Sequence, residues 1–257
     1  MADLMKLIGA GIWQCMTGWM GGGYDWKAWV YHYVPNYVHD KTLLVIYSVL
    51  SVTGVNARIR AEHMQKNEKA WERYRNENSN DIYLEQQQKM QDFFYGKHDA
   101  SYNGCEVIAV YNALCALNDG RAPVSFPLLL NEFERSGIAA KGAFGTSPLS
   151  VYSYFHKLGH DSKMLFAGKI TAQKLRNMQD QYDTYILTAY NDANDLGGMI
   201  HTVSITAQNG TYVIHNAGDP SAYHSLEEAV NGFRGGAGKT ICLIGVKKAN
   251  EVVTELC

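Results

Sequence analysis

Residues 200–206 (Ile-His-Thr-Val-Ser-Ile-Thr) and 211–215 (Thr-Tyr-Val-Ile-His) lie on either side of Asn209-Gly210. β-Branched residues flank a dipeptide that tolerates left-handed backbone, which is the strongest short-range signal for a β-hairpin. Outward from this hairpin, Tyr185 to Ala189 alternates weakly as an earlier strand. Lys239 to Val246 reads as a last, buried strand. The C-terminal part of the chain is therefore expected to build an antiparallel sheet.

Upstream the period changes from two to that of a helix. Glu106 to Leu117 carries Val107, Ile108, Val110, Tyr111, Leu114 and Leu117, apolar nearly all round, as in a helix buried within a core. Gly120 ends it. Ser147 followed by Pro148 opens a second helix that runs to about Leu158, before Gly159. Ala172 to Met178 predicts a third helix, and Ser225 with Glu228 forms a capping box for a short one reaching Phe233. Helices first and strands second predict an α+β protein and not a doubly wound sheet.

The first hundred residues differ in texture. Trp13, Trp19, Trp26, Trp29 and Trp71 all lie there, with a Gly21-Gly22-Gly23 break and an apolar run from Thr42 to Val55. That run is about 14 residues, short of the roughly 18 that a spanning helix needs. Ala57 to Gln91 is rich in Arg, Lys, Glu and Gln, with sparse apolar residues at Ile59, Met64, Trp71, Tyr74 and Tyr83. It reads as an exposed helix or helical linker. The expected organisation is a helical, aromatic-rich extension over residues 1–91 and a compact domain over residues 92–257.

The formal charge of -2 and a pI near 6.5 give no field that would recruit nucleic acid. Five cysteines without CxxC pairs argue against a structural zinc site or a disulfide framework, and fit a reducing compartment. Met1 to Gly23 lacks the features of a secretory signal, so a cytoplasmic location is expected. Arg58, Arg60 and Lys66 follow the apolar run directly. Residues 42–60 are thus the segment through which the chain would meet a membrane surface or a protein partner.

Cys105 follows Tyr102-Asn103-Gly104 and heads the buried helix, where the N-terminal dipole favours a thiolate. A thiolate attacking a carbonyl needs a proton donor for the leaving group, and a paired histidine supplies one. His201 begins the first hairpin strand, after Gly197-Gly198, and Asn216 lies just past the end of the second. Because 201 and 216 flank the same turn, strand pairing brings them close, and Asn216 is the expected orienter of the imidazole. Asp219, beside Pro220, is the rival for that role. Cys115 and Cys242 fit core positions, and His215 faces the other side of its strand.

Asn103-Gly104-Cys105 at the head of a buried helix, then His-Thr-Val-Ser-Ile, then Tyr-Val-Ile-His-Asn, resembles the papain-like cysteine peptidase superfamily. Within it the resemblance is to the bacterial branch of bacteriocin-leader (double-glycine) peptidases and covers roughly Asp92 to Val246. It implies a helical half carrying the nucleophile Cys105 and an antiparallel sheet carrying His201 and Asn216. It also implies a peptide or protein substrate, a thioester intermediate, and no metal or organic cofactor. The family usually places a Gln where Asp99 stands, as a donor to the oxyanion hole, and a carboxylate there would repel the oxyanion. Asn103, His98 or Lys97 is left to supply the donor, with Asn103 preferred. Two other readings use the same residues: a scaffold that binds without turnover, and an acyltransferase in which an amine resolves the thioester.

His201, His215 and His224 lack the spacing of a zinc site. The glycine-rich string ending Gly238-Lys239-Thr240 resembles a phosphate loop. It follows a helix and opens a strand, the reverse of what such a loop requires.

Overall fold

The computed structural model describes residues 40–167, 169–191, 200–218, 221–233 and 240–249. The expectations for the four tryptophans before residue 30, Gly21-Gly22-Gly23, Cys15, Cys257, Gly197-Gly198, Asp219 and most of the glycine-rich string fall outside these residues. In chain order the helices and strands are α1 (Asp40–Leu50), α2 (Ala57–Glu77), β1 (Phe94–Tyr95), β2 (His98–Asp99), α3 (Ala100–Asn103), α4 (Cys105–Leu117), α5 (Phe126–Arg135) and α6 (Pro148–Lys157). Then follow β3 (Ser162–Phe166), α7 (Ala172–Gln179), β4 (Thr184–Tyr190), β5 (Ile200–Gln208), β6 (Thr211–His215), β7 (Ala222–Tyr223), α8 (Leu226–Gly232) and β8 (Thr240–Val246).

The protein is α+β. Six strands form one sheet in the order β3-β8-β4-β5-β6-β7, and every neighbouring pair is antiparallel. The hairpin closes with Gln208 opposite Thr211, and Asn209 and Gly210 both have positive φ (50° and 79°). Two such residues make the turn whose twist matches that of the strands.

Side-chain alternation gives the sheet two dressed faces. Ile186, Ile244 and Val246 pack on the side of α4, together with Val107, Ile108 and Leu114. Tyr185, Leu187, Val203, Ile205 and Leu243 pack on the other side, against Leu175 and Met178 of α7 and Leu226 and Val230 of α8. Helix α4 is the centre of the first core, with every residue but Ala116 buried. Burying each of its large aliphatic side chains contributes about 1.5–3 kcal/mol. That helix is therefore fixed against the sheet along its whole length, and with it the position of its first residue.

The helix expected between Ala57 and Gln91 is α2, mostly exposed, but one side of it joins this core. Ala70, Tyr74, Leu84 and Met90 are buried with residues of α4 and α5, and no break in packing marks residue 92. The reason is that a few large rings suffice: Trp71 stacks on Tyr74 and meets Phe93, Tyr111 and Phe126 edge-on or tilted. Polar Asn67 is buried too, its amide both donating to and accepting from the main chain of Phe94. Strand β3 and helix α5 complete the fold and were not among the expected elements.

Helix α1 buries Leu44 beside Ile241 and Cys242, and Tyr47 beside Ala139 and Phe144. Its other side leaves Val45 and Val49 exposed, as is Val52 just beyond it. Among the described residues no helix is long and apolar enough to cross a membrane.

Candidate active site

The N-terminus of α4 meets the sheet where β5 runs on past the end of β6. Pairing between those strands begins at Ser204 opposite His215, so the start of β5 has no β6 partner. Cys105 reaches this stretch. It follows directly from α3 because Gly104 joins the two helices; a Cβ there would lie 2.6 Å from the Ala100 carbonyl oxygen.

Cys105 is buried, and its thiol is not lowered as a helix N-terminus alone would predict. Burial first, and then the neighbouring Glu106 carboxylate, push it well up. The main-chain N–H groups of Thr202 and Glu106 work the other way and favour the thiolate, without prevailing. The helix end therefore supplies the expected donors, but burial, reinforced by the first-turn carboxylate, outweighs them.

Glu106 is itself 1 % exposed. Its carboxylate accepts from Thr146 N at 3.3 Å and from Thr202 Oγ1 at 3.4 Å. Burial pushes its pKa up to about 7. Gly145, at φ 70°, makes room for it, since a Cβ there would lie 3.0 Å from Oε2. This residue was missed in the sequence, although a lone carboxylate inside an otherwise apolar buried helix is a visible signal.

His201 Nε2 lies 2.8 Å from the main-chain oxygen of Asn216, and its ring stacks on Phe233 with centroids 6.3 Å apart. By strand alternation His201 belongs to the face of Val203, while Thr202 faces Glu106. Cys105 and His201 thus address adjacent residues of β5, and among the described residues Sγ is not hydrogen-bonded to the ring.

Asn216 touches His201 through its carbonyl, not its side chain. The Asn216 backbone is left-handed, φ 62°, a conformation that asparagine accepts more readily than most residues. Its side chain turns to Gln87: Oδ1 accepts from Gln87 N at 3.0 Å, and Nδ2 donates to Gln87 Oε1 at 3.2 Å. Gln87 Nε2 in turn donates to the Ser101 carbonyl at 3.0 Å, in the turn of helix before Cys105. Gln87 was hidden in the polar Gln86-Gln87-Gln88 run, yet it ties the strand side of the site to the nucleophile side.

Glu85 completes this strap. Oε2 accepts from Asn216 N at 2.9 Å, Oε1 pairs with His215 Nδ1, and Tyr83 stacks on the His215 ring at 4.0 Å. His215 Nε2 lies 2.7 Å from Thr206 Oγ1, so this histidine is structural, as its strand face implied. Burial raises the Glu85 carboxyl, but the His215 hydrogen bond and charge and the Asn216 N–H outweigh it, leaving a net lowering.

Of the positions weighed for the oxyanion hole, Asp99 and Asn103 are otherwise employed. Asp99 caps α3, accepting from Ser101 N at 3.0 Å and from the Ser101 hydroxyl. Asn103 is 2 % exposed, and its Nδ2 donates to the carbonyls of Gly142 (2.7 Å) and Tyr95 (3.3 Å). Neither side chain is offered to a substrate oxygen, because caps and buried amides are consumed by the backbone groups they satisfy. Cys115 and Cys242 lie in the core, 1 % and 0 % exposed. Among the described residues no group of three or more His, Cys, Asp or Glu is placed to hold a metal ion.

No protein-family model, curated protein or solved structure matches the chain.

Proposed function

We propose that the chain is a papain-like cysteine hydrolase of the bacteriocin-leader peptidase kind, cleaving a peptide or amide bond. The observation that carries this reading is the junction at β5. A cysteine at the head of the buried helix lies against Thr202, and the preceding residue is a histidine whose ring is held on the Asn216 carbonyl.

Cys105 Sγ attacks the carbonyl carbon and its proton passes to His201. The imidazolium then protonates the leaving amine, releasing it and leaving a thioester on Sγ. Water, deprotonated by His201, resolves the thioester and restores the thiol. This reading requires that Cys105 Sγ and the His201 ring pair across the start of β5. Asn216 fixes the imidazole through its carbonyl, and the strap of Glu85 and Gln87 fixes Asn216. This reading assigns the oxyanion to main-chain N–H groups at the start of α4.

The reading is tested by mass spectrometry of the protein mixed with activated acyl-peptides ending in small residues. A thioester on Cys105, absent in Cys105→Ala and not turned over in His201→Ala, is the expected result. No adduct with any acyl-peptide would sink it. Adding amines to the same mixture separates hydrolysis from acyl transfer by the products formed.

A second reading has its own observation. The thiol is pushed up, and neither Asp99 nor Asn103 donates into the site, which favours a scaffold that binds a peptide or protein without turnover. Binding of those peptides with no adduct would select it.

A further inference from the structure

We propose that the outer side of helix α1, together with the cleft beside it, is a docking surface for an anionic phospholipid bilayer. The inference does not depend on the hydrolase reading.

Helix α1 is apolar on two sides, and the described protein covers one of them. Leu44 and Tyr47 are buried beside Ile241, Cys242 and Phe144. Val45 and Val49 are 56 % and 66 % exposed, and Val52, just beyond the helix, is 80 % exposed. Spacings of i, i+4 and i+7 gather these three into one stripe. A helix that is apolar on both sides calls for a second apolar phase outside the fold.

Ser48 lies on the same side, three residues after Val45, and it lines a cleft of about 300 Å³ between α1, α5 and α6. The cleft is polar where the stripe is apolar. Ser150, Ser153, Tyr154 and Lys157 of α6 and Glu132 of α5 line it with Ser48. The Tyr154 hydroxyl stays a donor, because burial, and after it the Glu132 charge, push its pKa up to about 12. Glu132 accepts from the Arg135 guanidinium at 2.6 and 2.7 Å, so its charge is matched. Among the described residues Lys157 has no carboxylate partner, and neither has Lys141, exposed on the segment packed against Tyr47.

Hydroxyl donors and unmatched ammonium groups beside exposed valines suit one kind of occupant. A lipid phosphate accepts from the former, and the acyl boundary beneath it takes the latter. Residues 1–39, which precede α1, are the rival within the chain. Their Lys6 and Lys27 cancel Asp3 and Asp25, so they bring no net negative charge to Lys157, whereas an anionic bilayer does. Their Trp13, Trp19, Trp26 and Trp29 are of the residue type enriched at bilayer interfaces. A surface met here lies one helix away from the candidate site, since Leu44 and Tyr47 pack on Ile200, the residue before His201.

The test is flotation of the intact protein with vesicles of phosphatidylcholine alone and of phosphatidylcholine mixed with phosphatidylglycerol. Binding to the mixed vesicles is expected, with little or none to phosphatidylcholine alone. Lys157→Glu and Val49→Glu should each weaken it about tenfold or more, the first by opposing the headgroup and the second by placing a charge in the apolar stripe. Both side chains are exposed, so urea midpoints close to wild type are expected; should Val49→Glu misfold, Val49→Ser takes its place, with a smaller loss in the same direction. No flotation with the mixed vesicles, equal flotation with both kinds, or binding indifferent to either substitution overturns the inference. Dimerisation that Val49→Glu abolishes, without flotation, would overturn it in favour of a second copy of the chain. Inorganic phosphate bound at Lys157 without flotation would overturn it in favour of a free anion. Flotation needs no turnover, so its failure leaves the hydrolase standing, and a missing thioester leaves the docking surface standing.

Discussion

Two carboxylates flank the candidate site and end in opposite states. Glu106 lies beside a thiol, a hydroxyl and two N–H groups, and burial carries its pKa to about 7. Glu85 is also partly buried, yet an imidazole and the Asn216 N–H hold it below its ordinary value. The contrast teaches that the hydrogen-bond donors facing a desolvated carboxyl decide which way its pKa moves. On the helix side of the site the donors do not offset burial, which leaves a proton in play. On the strap side the imidazole and the N–H make a rigid clasp that shapes Asn216, and through it His201.

Several perturbations would break or sharpen this contrast. The largest effect is expected at the nucleophile itself: Cys105→Ala abolishes thioester formation, whereas His215→Ala, on the clasp, slows it without abolishing it. Time courses of adduct formation check both.

Next come opposite pH dependences of stability. The folded-state pKa of Glu106 is raised above its unfolded value of 4.5. Its contribution is therefore fully present below about pH 4.5 and is lost as pH rises through 7, a change of about 3 kcal/mol. Glu85 is lowered, so its contribution is present above about pH 4.5 and is lost as pH falls through its depressed pKa. Urea midpoints for wild type, Glu106→Gln and Glu85→Gln across this range check the signs. The first variant should lack the loss toward neutrality and the second the loss toward acid.

A smaller effect is expected from Glu85→Ala near neutral pH. It leaves His215 and Asn216 N–H without their acceptor, and should cost about 1–2 kcal/mol because the carboxylate is itself partly solvated. Limited proteolysis between residues 80 and 92 should accelerate in step with the lower midpoint. Smallest is Gln87→Ala, about 1 kcal/mol for a half-exposed amide. It should nevertheless slow thioester formation more than so small a destabilisation explains, because it uncouples Asn216 from the Cys105 segment; a parallel change in both would limit Gln87 to stability.

Much of the fold was legible where burial imposes a period. The all-apolar α4 and the hairpin around Asn209-Gly210 follow from period and turn chemistry alone. Helix α2 was legible as an exposed helix, but its packed side was not, because only Trp71, Tyr74 and Ala70 seat it on the core and Asn67 is hidden by bonds to the main chain of Phe94. In the site, Cys105, His201 and Asn216 were singled out by position in helix and hairpin. What sequence could not supply was direction: that Asn216 presents its carbonyl depends on a left-handed backbone set by Glu85 and Gln87, far away along the chain. Asp99 and Asn103 show the same limit, since capping and backbone satisfaction claim them first.

The most direct test of the central claim is alkylation of the intact protein near pH 7, comparing Cys105 with the core thiols Cys115 and Cys242 in wild type and His201→Ala. The account predicts that Cys105 reacts at least about tenfold faster than both core thiols and loses that advantage without His201. Equal rates at the three cysteines, or a Cys105 rate indifferent to His201, would contradict it.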